Sequence, residues 1–287
     1  MKHLYHYICI LSLIISIKST SLPVAIFHGI GDSCIFPGMS RITNFFSNQL
    51  GGVYATCIET GGGPLDWFTS FNSQADKACE KIKADENFQG EFSVVGISQG
   101  SLIARYIIEK CQMKGTVKRY ISIGGPQMGV GSLPQCTEGA ICDTINKLIG
   151  YGVYTSIAQE IIGPAGYFKD ITNYNTYLNF SSFLADLNNE KEKKNASYKQ
   201  RFMALDRVVL IKFSRDTMII PKETAWFQFY DQNKKVGELE DSDFYKNDYL
   251  GVRVLSEQRK IEFVELEGNH LNFSNDDITT YMIPALK

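Results

Sequence analysis

Phe92-Ser93-Val94-Val95-Gly96-Ile97-Ser98-Gln99-Gly100-Ser101-Leu102-Ile103-Ala104-Arg105-Tyr106-Ile107-Ile108 is the stretch on which the reading of this chain turns. An apolar run of strand length enters Gly-x-Ser-x-Gly, and a pattern of helical period leaves it. A strand that turns sharply into a helix crowds its own backbone, so glycine is needed on both sides of the serine. The serine oxygen is then held out above the sheet edge, and the helix that follows aims its N-terminus, where negative charge is favoured, at the same point. Ser98 is therefore the candidate nucleophile.

Working outward, short apolar runs alternate with helical patterns: Leu22–Phe27, Val53–Ile58, Phe92–Val95 and Val117–Ile123, then late in the chain Val208–Phe213 and Ile261–Leu266. Alternation of this kind predicts an α/β protein with a mostly parallel central sheet and helices on both faces. No strand is evident between Ile123 and Val208, where Ile145, Leu148 and Ile149 with Ile157, Ile161 and Ile162 recur at helical spacing. That span, about 126–205, is expected to be a helical insertion in one domain. Its polar stretch Asn188–Asn195 is expected to be a solvated face or loop.

The chain has 287 residues, 44% hydrophobic and 21% charged, with a formal net charge of −2. Such a balance suits one large core and gives no sign of nucleic-acid binding. Lys2 followed by the apolar stretch Leu4–Ile17 and small residues at Ser19 and Ser21 predicts a secretory signal over 1–21, leaving 22–287 as the folded domain. That stretch is too short for a stable membrane span. After Cys9 is removed with the signal, six cysteines remain, an even number that favours disulfides in a secreted chain. Sequons at Asn179, Asn195 and Asn272 are candidate glycosylation sites in the same compartment.

A serine hydroxyl needs a base to become a nucleophile at neutral pH, and histidine is the usual one. Beyond the signal only His28 and His270 are available. His270 ends Glu267-Gly268-Asn269-His270 just past the last strand, the expected place for the base. His28 opens His28-Gly29-Ile30-Gly31-Asp32 after the first strand, where hydrolases of this architecture place a turn that donates to the oxyanion. The orienting acid should fall between serine and histidine at a strand end, which selects Asp216 over Asp206, Asp231, Asp241 and Asp243. Two histidines without clustered cysteines or carboxylates make no metal site, and no cofactor is expected.

These residues resemble those of the palmitoyl-protein thioesterase family. The resemblance is carried by His28–Cys34, Gly96–Gly100, Ile123-Gly124-Gly125, Leu133–Cys136 with Ile141-Cys142-Asp143, Phe183–Asn188 and Trp226–Tyr230, several of which lie outside any catalytic motif. It implies an α/β-hydrolase, typically lysosomal, that removes long acyl chains from S-acylated cysteines of proteins or peptides. Position by position it implies Ser98 as nucleophile, His270 as base, Asp216 as orienting acid, and the backbone N–H groups of Ile30 and Gln99 as the oxyanion hole. Ile30 stands where the family pattern has methionine, a change that a backbone donor tolerates. Pro126-Gln127-Met128-Gly129 also departs from that pattern and bears on the wall of the acyl groove.

The helical positions of Cys79 and Cys111 on either side of the elbow strand, and the short loop between Cys136 and Cys142, together with the resemblance, pair 79 with 111 and 136 with 142. Cys34, after the first strand, and Cys57, in the second, are left over, and the sequence leaves their pairing open. The same triad cleaves oxygen esters, so a secreted lipase or carboxylesterase, or a lipid-binding relative without turnover, are the competing readings. The chain is expected to act as a monomer, within lysosomes or outside the cell.

Overall fold

The computed structural model describes residues 21–132 and 152–287. Among these, six strands form one parallel sheet in the order β2-β1-β3-β4-β5-β6. The strands are β1 (Val24–Phe27), β2 (Ala55–Ile58), β3 (Glu91–Ile97), β4 (Thr116–Ile123), β5 (Arg207–Phe213) and β6 (Ile261–Leu266). Each of the six apolar runs read from the sequence is one of them. The central strands are continuous apolar runs because both faces of the sheet are covered.

Alternate residues supply the two faces. Ala25, Phe27, Val94, Tyr120 and Leu210 pack with α2 (Phe71–Ala84) and α3 (Gly100–Glu109) in one core. Val24, Ile26, Val95, Ile121 and Ile211 pack in the other with Met39 and Phe46 of α1 (Pro37–Gln49) and with Ile278, Met282 and Ile283 near the C-terminus. Every connection between neighbouring strands must cross over, so all six strands end on the same edge. Phe27 is level with Gly96, Gly96 with Ser122, Ile123 with Ile211, and Phe213 with Leu266. That register sets the loops beginning at residues 28, 98, 124, 214 and 267 side by side.

Between β4 and β5 the described residues form α4 (Ser156–Ile161), α5 (Tyr174–Phe180), α6 (Leu184–Leu187) and α7 (Ala196–Met203), with no pairing beyond an isolated bridge of Val130 to Phe168. Arg105 of α3 fastens this region to the sheet. Its fully buried guanidinium donates to the carbonyls of Gln127 and Leu187 and to Asn188 Oδ1, while its Nε lies 2.8 Å from Glu109.

The polar stretch after α6 departs from expectation. Asn188, Asn189 and Glu190 are buried rather than solvated, because Glu190 is paired with Lys169 at 2.6 Å and accepts the Tyr177 hydroxyl. Only the part from residue 191 to 195 faces solvent, with residue 191 half-buried.

Disulfides join Cys34 to Cys57 (S–S 2.00 Å) and Cys79 to Cys111 (1.98 Å). Cys136, Cys142 and all but the last residue of the expected signal, 1–21, lie outside the described residues. Asn179, Asn195 and Asn272 are exposed. No helix among the described residues is long and apolar enough to cross a membrane.

Candidate active site

Both elbow glycines are required by contact distances. A Cβ on Gly96 would stand 2.2 Å from the Ser101 Cα, and one on Gly100 would stand 2.2 Å from the Phe27 carbonyl oxygen. Between them Ser98 takes φ 52°, the left-handed region that ordinary residues avoid. Its N–H donates to the Ile123 carbonyl at 2.8 Å, which holds the turn in place. Gly29 packs on the other side, where a Cβ would be 3.3 Å from that of Ser98.

The structure brings Ser98, His270 and Asp216 together from the ends of three strands. Ser98 Oγ is 2.9 Å from His270 Nε2, and His270 Nδ1 is 2.6 Å from Asp216 Oδ2. Nδ1 faces a carboxylate, so the hydrogen there is donated to it and Nε2 is left to accept. The other Asp216 oxygen accepts the backbone N–H groups of Met218 and Ile219, each at 2.9 Å. Asn269 ties the two loops together: its Oδ1 accepts from the Thr217 N–H at 3.0 Å and from the His270 N–H at 2.8 Å. Sequence reasoning passed over Asn269, although its place beside His270 was a signal.

A cavity of about 170 Å³ opens on this arrangement, lined by Gly29, Ile30, Asp32, Ser98, Gln99, Pro126, Tyr167, Met218, Ile219, His270 and Leu271. The two residues expected to donate to an oxyanion, Ile30 and Gln99, are both in its wall, and the region between β4 and β5 contributes Pro126 and Tyr167. The Gln99 side chain is fixed between Gln74 at 2.9 Å and the Tyr167 hydroxyl at 3.1 Å.

His28 is placed differently. It is fully buried, with Nε2 2.8 Å from Glu59 Oε1 and Nδ1 2.9 Å from the Gly29 carbonyl. Burial raises the Glu59 carboxyl, yet the Ser33 hydroxyl, the Cys34 N–H and His28 together hold it below its ordinary range. Asp66, also fully buried, has one oxygen 3.8 Å from His28 Nδ1; burial pushes its carboxyl up against the pull of His28 and of the Gly62 and Gly31 N–H groups. His28, Cys34 and Glu59 bring possible metal ligands within 4.8 Å of one another. The Cys34 sulfur is bonded to Cys57, however, and is no thiolate ligand in this form. Glu59 and Asp66 escaped the sequence reading because neither belongs to a motif.

A parallel sheet with this elbow and these loops on one edge defines an α/β-hydrolase. A sequence profile of the palmitoyl protein thioesterase family matches residues 23–270, and the chain belongs to that family. It is 31% identical to palmitoyl-protein thioesterase 1 of Caenorhabditis elegans over 276 residues, covering 91% of this chain and 92% of the relative. It is 30% identical to palmitoyl-protein thioesterase 3 of Dictyostelium discoideum over the full length of both. Lysosomal thioesterase PPT2 of Mus musculus is 27% identical, over 81% of this chain and 76% of that one. Membership makes the chain a thioester hydrolase, and its disulfides fit the secretory pathway.

Proposed function

We propose that this thioester hydrolase removes palmitoyl and similar long acyl groups from S-acylated cysteines of proteins or peptides, with Ser98, His270 and Asp216 as its triad. The observation that carries this reading is the continuous hydrogen-bonded path from Ser98 Oγ through His270 to Asp216, at 2.9 and 2.6 Å. Ser98 Oγ attacks the thioester carbonyl as its proton passes to His270 Nε2, and Asp216 steadies the ring and the charge it gains. The carbonyl oxygen becomes an oxyanion that takes the N–H groups of Ile30 and Gln99, each worth about 3 kcal/mol. Collapse breaks the C–S bond and expels the cysteine sulfur, which leaves as a thiol with the proton from His270. Water, deprotonated by His270, then cleaves the acyl-Ser98 ester and frees the fatty acid.

Each acyl methylene that the site buries offers about 0.8 kcal/mol, affinity gained without contacts to the protein part of the substrate. The names of relatives such as the murine lysosomal thioesterase support a lysosomal site of action. Asn179, Asn195 and Asn272 are proposed as glycan acceptors because each is exposed.

A series of acyl thioesters of rising chain length, with matched oxygen esters, tests the reading. Turnover should climb with chain length and favour the thioesters. Equal or greater turnover of the oxygen esters would transfer the protein to the lipases or carboxylesterases.

A further inference from the structure

We infer that Glu59 is a positioning residue that holds the Ile30 N–H in place for the oxyanion, an inference that rests on the proposed oxyanion hole. Ile30 sits in the loop from residue 28 to 34, and that loop has no strand or helix of its own to fix it. Glu59, the first residue after β2, grips it at both ends. Oε1 takes His28 Nε2 at 2.8 Å, two residues before Ile30, while Oε2 takes the Ser33 hydroxyl at 2.5 Å and the Cys34 N–H at 2.9 Å, just after it. The Cys34–Cys57 disulfide ties the same loop to β2, next to Glu59 in sequence.

Apart from the N–H of neighbouring Thr60 at 3.1 Å, the hydrogen bonds of the Glu59 carboxylate among the described residues go to the loop. A carboxylate is suited to the work, because it offers four lone-pair directions and donates nothing. An oxyanion donor is effective only if its direction is set before the charge forms, and a loop free to drift loses that advantage while still admitting substrate.

The test compares Glu59→Ala with the unsubstituted enzyme, using a palmitoyl-chain trifluoromethyl ketone and palmitate. The ketone adds Ser98 Oγ to its carbonyl carbon, with the serine proton passing to His270, and leaves an oxyanion in the hole; palmitate reports on the acyl site alone. Glu59→Ala should lower kcat about 10- to 100-fold, part of the 10²- to 10³-fold carried by one such donor. Ketone affinity should fall by a similar factor, with KM and palmitate affinity within about two-fold.

Unchanged ketone affinity, or a parallel loss for ketone and palmitate, overturns the role of Glu59. If the unsubstituted enzyme binds the ketone no better than palmitate, the hole itself is wrong and the inference falls with it. Should Glu59→Ala not fold, Ser33→Ala removes one of the loop's bonds to Glu59 and should show the same split at about three-fold. No split in Ser33→Ala counts against the inference equally.

Discussion

Two histidines in this protein are each paired with a carboxylate at hydrogen-bond distance, one on either side of Ser98, and they serve opposite ends. His270 holds Asp216 through Nδ1 and turns Nε2 to a serine hydroxyl, a group that can give up a proton. His28 holds Glu59 through Nε2 and turns Nδ1 to the Gly29 carbonyl, which can only accept. His270 is partly open to the cavity at 11% side-chain exposure, whereas His28 is sealed at 0%. What separates the proposed catalytic pair from the buried one is the partner of the second ring nitrogen and its access to the cavity. The carboxylate and the short distance are common to both.

The contrast is sharpest at the serine. Ser98→Ala and His270→Ala are expected to lower kcat by about 10⁶, and Asp216→Asn by about 10⁴, as in hydrolases whose triad acts as a unit. Steady-state kinetics on a palmitoyl thioester measure all three, and substantial activity in Ser98→Ala would remove the mechanism. His28→Ala should cost far less in kcat, on the order of 10²-fold, since it disturbs at most one oxyanion donor. It should also lower the melting temperature, because Glu59 and Asp66 lose a buried partner. A kcat loss equal to that of His270→Ala would erase the distinction between the pairs.

Replacing Cys34 and Cys57 with serine opens a link of sequence separation 23 and should cost about 3 kcal/mol of stability. If Glu59 grips the loop as inferred, thermal denaturation should record that loss while kcat changes only a few-fold. The smallest effect concerns a carboxylate remote from either pair. Burial pushes Glu109 up to about 7 despite Arg105 beside it, and its Oε2 has no hydrogen-bond partner among the described residues.

With its folded value above its unfolded one, Glu109 takes up its proton more readily in the folded state. Its contribution to stability therefore grows as pH falls from about 7 toward the ordinary carboxylate range. On going from pH 7 to pH 5, the melting temperature of Glu109→Gln should shift toward lower values relative to the shift in the unsubstituted protein, because the variant lacks this stabilising uptake. An unchanged shift would show that Glu109 is ionised throughout.

The sheet was legible because its strands are written as apolar runs, and a run such as Val208–Phe213 needs no partner to be recognised. Ser98, His270 and Asp216 were legible because an elbow and chain order constrain where a base and an acid can fall. Glu59 was not. Its meaning depends on β1 and β2 lying side by side, which brings residue 59 to residue 28 across 31 positions. Nothing in Cys57-Ile58-Glu59-Thr60 signals that pairing. Asn188–Glu190 misled for a related reason, since a polar run is solvated only when no buried Lys169 or Arg105 waits for it.

Asp216 has two oxygens, and they answer to different parts of the reaction. One takes His270 Nδ1, the proposed base; the other fastens the backbone of Met218 and Ile219, which line the cavity beside Ser98. In the proposed mechanism, the wall that meets the acyl group and the group that steers the proton are thus mounted on a single carboxylate. Altering chain-length preference at 218 or 219 is safe while only side chains change. A proline at either position would remove an N–H that Asp216 accepts, so an experiment aimed at selectivity would arrive as a loss of turnover.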